Sequence, residues 1–335
     1  QLVVVRLDKG RDGPLCQGQG TFCLVTDYNR CFSQVQGAFP GVRAGNRQGV
    51  GFGGNATAYH LLDSALDPKP SVRQLAGRIY FDGQELNAGD ETAFRALRGS
   101  RIGYIPQDPM SALHPVFTVG NQLAEAVLLH HDLSRRSAWE RSAELLSQVG
   151  IASAASRLKA YPHQLSGGQR QRILIAMALA GDPELIVADE PTTNLDVTIQ
   201  LQYLNLLRDI QKETGVALIF VTHNLGIVAK MCDKVAVMYA GKIVEQGNVR
   251  DIYNNPQHPY TEALLKSIPK LGDKSELYVI PGQPPNLAEL PTGCYFHPRC
   301  PKAFDQCRSE SPPEFPLGGG RSSKCWLAAS EVHSG

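Results

Sequence analysis

A chain of 335 residues with 42% apolar side chains and a formal net charge of +1 has room for one large domain or two modest ones, and its charge offers no bulk attraction for nucleic acid or anionic lipid. No stretch approaches the roughly 18 uninterrupted apolar residues that cross a bilayer, and no basic-then-apolar leader opens the chain, so the expected setting is the cytosol. In that reducing compartment the 8 cysteines call for a reason other than disulfides.

Residues 1–7 read as a candidate first strand. From there to about residue 70 the sequence is rich in Gly and Gln, carries Cys16, Cys23 and Cys31, and shows neither helical nor strand periodicity. Within it, Gly49-Val50-Gly51-Phe52-Gly53-Gly54-Asn55-Ala56-Thr57 is a glycine loop ending in a hydroxyl. Residues 77–86 predict a strand, an Asp82-Gly83 turn and a return strand. Residues 101–109 predict a short strand leading into a Pro-bounded loop that carries Gln107. A helical lobe follows, with helices at 119–130 and 137–150 and an apolar stripe of Leu145, Leu146 and Val149 that serves core packing.

Two blocks then carry the chemistry. Leu165-Ser166-Gly167-Gly168-Gln169 is a glycine turn opening a helix, which aims backbone N–H groups and a Ser hydroxyl at an anion. Arg170 and Arg172 read as helix-surface or packing residues. Leu185-Ile186-Val187-Ala188-Asp189-Glu190-Pro191 is a buried strand that ends in two carboxylates. At the carboxyl end of a parallel strand, Asp then Glu suits a magnesium ligand beside a general base for phosphoryl transfer. Together the blocks point to nucleotide hydrolysis. Beyond them the sequence predicts a helix over 197–213, a second buried strand over 216–223 ending in His223, and a hairpin over 235–245 with Gly241 in its turn. The tail carries Cys294-x5-Cys300-Pro301-x5-Cys307-x17-Cys325, a candidate four-thiolate site without the paired Cys-x2-Cys spacing that zinc favours.

With the Leu-Ser-Gly-Gly-Gln block and the acidic strand unaltered, the chain resembles the ATP-binding cassette (ABC) ATPases over about residues 75–328. Tyr161-Pro162-His163-Gln164 and His258-Pro259-Tyr260-Thr261-Glu262-Ala263-Leu264-Leu265 are similar to the oligopeptide and dipeptide (peptide/nickel) importer branch. The resemblance implies an α/β fold: a P-loop NTPase (RecA-like) core with an antiparallel β subdomain, a helical lobe and a Cys-containing C-terminal extension. The corresponding divisions are 1–107, of which 1–70 is aberrant, then 108–165, 166–250 and 251–335. It further implies ATP and Mg2+ as cofactors, with Gln107 reaching magnesium and the attacking water, and Asp189 holding magnesium through water. Glu190 is the implied general base, and His223 the switch that contacts the γ-phosphate. Ser166, Gly167, Gly168 and Gln169 would bind the ATP held by an opposite subunit, and Asp196 lies in the loop that crosses the dimer interface. Some relatives hold a [4Fe-4S] cluster on the pattern of Cys294, Cys300, Cys307 and Cys325, with Zn2+ or unliganded thiols as alternatives. The implied partners are a second ABC ATPase subunit, identical or homologous, two transmembrane permease subunits and, indirectly, an external solute-binding protein, with no nucleic acid. The place is the cytoplasmic face of the membrane, peripherally, and the cargo is peptides or similar solutes.

One departure stands out. In the glycine loop Gly49 and Gly54 fit the family's P-loop, yet Asn55 has no charge where a lysine should reach the β- and γ-phosphates, and Ala56 has no hydroxyl for magnesium. Charge-assisted hydrogen bonds of this kind contribute about 1.5–3 kcal/mol each. Three accounts are open: a shifted reading frame between about residues 8 and 70, a degenerate site in a heterodimer, or substitution by Thr57 and a nearby basic residue. The alternatives in function are a catalytically degenerate or regulatory subunit whose cysteine tail does the work, and a soluble cassette ATPase outside transport.

Overall fold

The computed structural model describes residues 21–26, 79–82, 84–86, 90–193, 195–269, 278–287 and 289–329. The expected strand at 1–7 and the glycine loop, with Gly49, Gly54, Asn55, Ala56 and Thr57, lie outside the described residues. In chain order the strands are β1 (Thr21–Thr26), β2 (Ile79–Phe81), β3 (Gln84–Leu86), β4 (Ile102–Ile105), β5 (Leu185–Asp189), β6 (Ala217–Thr222), β7 (Lys234–Tyr239), β8 (Lys242–Asn248), β9 (Phe315–Gly318) and β10 (Arg321–Ser323). The helices used below are α1 (Val119–His130), α2 (Arg135–Gln148), α3 (Gly167–Ala178), α4 (Val197–Thr214), α5 (Leu225–Met231) and α6 (Pro259–Lys266). The chain divides into two compact units, one centred on Gly89–Val221 and the other on Phe22–Ala88 with Thr222–Gly335.

In the first unit β4, β5 and β6 pair in parallel, Ile105 beside Ala188 and Asp189 beside Val221. All five residues of β5 are buried, which is why the sequence reads there as an unbroken apolar run rather than an alternation. The helical lobe forms as expected. Thr118 caps α1 by accepting from the Asn121 amide at 3.3 Å, and Leu123 and Val127 are wholly buried. The next helix starts at Arg135, two residues earlier than its apolar stripe predicts, because Ser134 Oγ accepts from the Ser137 amide at 3.1 Å and so begins the first turn. Leu145, Leu146 and Val149 make the expected buried stripe. Arg172 is a packing residue: its guanidinium donates to the Val149 carbonyl at 2.8 Å, closing the end of α2.

In the second unit β2 and β3 form the predicted hairpin, Phe81 facing Gln84, with Asp82 at φ 51° in the turn. The predicted hairpin of β7 and β8 turns through Ala240 and Gly241, both with positive φ. One reading fails here. Residues 21–26 fall in the stretch judged to lack periodicity, yet they form β1, parallel to β7 with Leu24 beside Ala236. Thr-Phe-Cys-Leu-Val-Thr is a run of β-favouring residues without polar alternation, so a period-2 test finds nothing in it. The tail adds β9 and β10, and β10 pairs antiparallel with β8, Ser323 beside Glu245. An aromatic cluster joins this tail to the strand, with Tyr239 4.6 Å from Tyr260 and 5.2 Å from Phe296 between ring centroids. Among the described residues no helix is long and apolar enough to cross a membrane.

Candidate active site

The acidic pair sits where β5 ends. Asp189 and Glu190 are 6% and 2% exposed, so neither is a solvated helix-capping carboxylate. Tyr104 Oη donates to Asp189 Oδ2 at 3.3 Å, a contact made possible by the register that sets Tyr104 beside Val187. Glu190 leaves the strand with φ 41°, a left-handed conformation that turns the chain sharply, and its amide donates to the Val221 carbonyl at 3.0 Å. Thr193 Oγ1 donates to Glu190 Oε2 at 2.8 Å. Next to it, Gln200 Nε2 donates to Thr192 Oγ1 at 3.1 Å and Gln171 Nε2 reaches the Pro191 carbonyl at 3.4 Å. The turn carrying the carboxylates is therefore held by side chains of α3 and α4. Gln107 lies two residues beyond the end of β4, half-buried, at the same edge of the parallel strands.

Ser166 is the N-cap of α3. Its Oγ accepts from the Gln169 amide at 3.3 Å, and Gln169 Oε1 in turn accepts from the Ser166 amide at 3.1 Å, a reciprocal capping box. Gly167 is exposed, and a Cβ built on it would meet nothing within 4 Å, whereas one on Gly168 would stand 3.3 Å from Ile199. Arg170 Nε donates to the Leu165 carbonyl at 3.0 Å and so supports the turn. Asp196 caps α4, accepting from the Ile199 amide at 2.9 Å, and is exposed. In the other unit His223 follows β6 and is exposed, with Asn224 capping α5 through the Gly226 amide at 2.9 Å. His163 is exposed and stacks on Tyr161 at 5.6 Å. Sequence reasoning missed Tyr104 and Thr193 as supports of the carboxylates. The signal available was the polar tip on each, one inside an apolar strand and one three residues after Glu190.

The four tail cysteines, Cys294, Cys300, Cys307 and Cys325, all have free thiols and line one cavity together with His258. Burial pushes the Cys294 and Cys300 thiols up from their ordinary range and the Cys325 thiol up to about 12, which favours the neutral thiol at these three. Among the described residues no group of three or more His, Cys, Asp or Glu side chains is arranged to hold a metal ion. Lys302 lines this cavity, and Lys242 and Lys324 line a neighbouring one that shares Cys294.

A parallel strand delivering buried Asp-Glu, a capped glycine turn opening a helix and a helical lobe ahead of that turn define an ATP-binding cassette. Solved cassettes share the fold. One from Clostridium perfringens, part of the ABC transporter complex cbiONQ, is 26% identical over 71% of this chain and 81% of its own, with a TM-score of 0.53. An ATP-binding cassette dimer in a post-hydrolysis state bound to ADP and phosphate gives the same TM-score, 0.53, at 21% identity, covering 70% of this chain and 87% of its own. The ABC transporter family profile matches residues 62–193, and the profile for the oligopeptide/dipeptide transporter C-terminal region matches residues 244–307. The oligopeptide transport ATP-binding protein OppD of Escherichia coli is 41% identical over 95% of this chain and 97% of its own length. The dipeptide transport ATP-binding protein DppD of Bacillus subtilis is 46% identical over 83% and 82%. A probable peptide ABC transporter ATP-binding protein of Sinorhizobium fredii is 47% identical over 87% and 88%. The chain belongs to the ABC transporter ATP-binding family, in its oligopeptide/dipeptide branch.

Proposed function

We propose that this chain is the ATP-hydrolysing subunit that energises import of peptides or similar solutes, working as a pair with an identical or homologous ATPase subunit on two transmembrane permease subunits. A solute-binding protein outside the membrane delivers the cargo, and the chain sits peripherally on the cytoplasmic face. The observation that carries this reading is the buried Asp189–Glu190 pair, fixed by Tyr104 and Thr193 at the carboxyl end of β5. In it Gln107, and Asp189 through water, would hold magnesium, and Glu190 would take the proton of the attacking water as general base. His223 senses the γ-phosphate, Asp196 faces the partner, and Ser166 to Gln169 close on the ATP bound by the partner subunit. The positions that would serve as this chain's own phosphate loop are Gly49, Gly54, Asn55, Ala56 and Thr57, where Asn55 lacks the charge and Ala56 the hydroxyl that bind phosphate and magnesium. Because each nucleotide would lie between one chain's phosphate loop and the other's signature helix, this chain completes its partner's site whatever the strength of its own. The test is Mg-ATP-dependent phosphate release by the chain co-purified with its permease subunits, beside Asn55→Lys combined with Ala56→Ser. A rise in ATP affinity of at least tenfold in the double variant supports the assignment of that loop. Equal affinity in both shows that residues 55 and 56 do not touch the phosphates.

We further propose that the tail holds an iron–sulfur cluster, although among the described residues its side chains are not gathered around a single metal ion. Supporting it are four thiols on one cavity, basic side chains near them to offset the charge of four thiolates, and the buried Nε2 of His258, which has no hydrogen-bond partner. A cluster bound there would supply a cross-link among the tail segments and one-electron chemistry. Zinc has less in its favour, since it needs four ligands converging at about 2.3 Å on a single ion.

A further inference from the structure

Three constraints fix the ring of His258. Its backbone amide donates to Glu245 Oε2 at 3.0 Å, and the same carboxylate accepts from the Gln257 amide at 2.8 Å and from the Arg321 guanidinium at 3.0 Å, so the segment entering α6 is clamped to β8 and β10. Its Nδ1 accepts from the Tyr260 amide at 3.1 Å, making the imidazole the N-cap of α6. Its ring is tilted 51° to that of Phe296, with centroids 5.9 Å apart. An Nδ1 that accepts from an amide carries no proton, so in the neutral ring the hydrogen is on Nε2. That atom is buried and has no hydrogen-bond partner, although a buried donor left unsatisfied is unfavourable.

The same imidazole forms part of the wall of the cavity lined by Cys294, Cys300, Cys307 and Cys325. We propose that His258 is a positioning residue for the group those cysteines hold, its Nε2–H donating a hydrogen bond to a sulfur of that group. This rests on the reading of the tail as an iron–sulfur site. Neutral thiols accept hydrogen bonds poorly, whereas a thiolate or sulfide on iron is a strong acceptor, so the orphaned donor gains its partner when the site is filled. A donor to sulfur stabilises the more negative, reduced state and raises the reduction potential. Reduction adds one electron, supplied in the test by dithionite, and makes or breaks no bond at His258.

Two substitutions separate the donor from the cap. In His258→Asn the Oδ1 replaces Nδ1 as acceptor for the Tyr260 amide while nothing reaches the Nε2 position, and in His258→Gln the side-chain amide places an N–H where Nε2 stood. The full chain is purified anaerobically, iron and acid-labile sulfide are counted, and the potential is followed by electron paramagnetic resonance. The expected result is iron and sulfide in the parent, a one-electron reduction equilibrium at least tenfold less favourable in the Asn variant, which is about 59 mV more negative, and a Gln variant near the parent. If the parent lacks iron and sulfide, the iron–sulfur reading falls and the inference with it. If iron is present and the Asn variant keeps the parent's potential, or both variants shift alike, only the role of His258 is overturned. Should the Asn variant not fold, nuclear–electron double resonance on the reduced parent labelled with 15N-histidine decides. A ring-nitrogen coupling and an exchangeable proton beside the cluster support the donor, and absence of both overturns it.

Discussion

Replacing Glu190 by glutamine isolates its charge from its shape. Glu190 is 2% exposed and accepts from Thr193 Oγ1 at 2.8 Å; the amide oxygen of the substituted glutamine is isosteric and can accept the same bond, so the turn keeps its geometry. What the proposed mechanism would lose is the proton acceptor for the attacking water. A positioned general base contributes roughly 10²–10⁴-fold, which at 1.36 kcal/mol per tenfold is about 2.7–5.4 kcal/mol of barrier. In that mechanism ATP binding does not draw on this proton transfer, so affinity should stay within about twofold, a difference of ~0.4 kcal/mol. The assay is phosphate release at saturating Mg-ATP by the assembled transporter, paired with equilibrium ATP titration and a thermal midpoint. A turnover within roughly threefold of the parent, at unchanged stability, would refute the assignment of Glu190 as base. Lost turnover accompanied by a large fall in the midpoint would instead mark Glu190 as a structural residue of the turn.

Gly167→Ala should leave stability equal or raise it by up to about 1 kcal/mol while lowering turnover of the paired ATPase, read by comparing denaturant midpoints with phosphate release. Gly103→Ala should do the reverse: its Cβ would stand 2.5 Å from the Ala178 carbonyl oxygen, so the variant should lose about 1–3 kcal/mol of stability in urea unfolding. Glu262 bonds Lys266 and Lys302, both at 2.7 Å, and these hydrogen bonds hold its carboxyl below the usual value of 4.5. Its stabilising contribution is therefore present above about pH 4.5 and fades as pH falls through the lower folded value. Unfolding measured between pH 6 and pH 3 should show this component in the parent and not in Glu262→Gln.

What could be read from the sequence was set by the chain locally. The hairpin of β2 and β3 is written in Asp82-Gly83, and the burial of β5 in an apolar run that ends abruptly in two carboxylates. What could not be read depends on partners distant in sequence. β1 becomes a strand through its pairing with β7, and nothing in its own residues announces that partner. Tyr104 supports Asp189 only because the parallel register sets β4 against β5 in one of several possible alignments. His258 is part of a short motif, but its clamping by Glu245 and Arg321 and its place on the cysteine cavity join three separate parts of the tail.

Two glycines show how packing within a chain can be told from a demand placed on it from outside. Gly103 lies in β4 under the end of α3, where the Ala178 carbonyl leaves no room for a Cβ, so the fold accounts for it fully. Gly167 meets no such limit. It occupies the first turn of α3 with a backbone that any residue adopts, it is exposed, and open space surrounds the position a Cβ would take. Glycine there gives up helix propensity for no gain inside this chain. The adjoining Ser166 and Gln169 satisfy each other's backbone amides, so the turn is already held in shape without a ligand. A preformed, uncrowded helix start of this kind suits a close approach by something this chain does not itself supply, which is what the pairing of two cassettes around ATP requires.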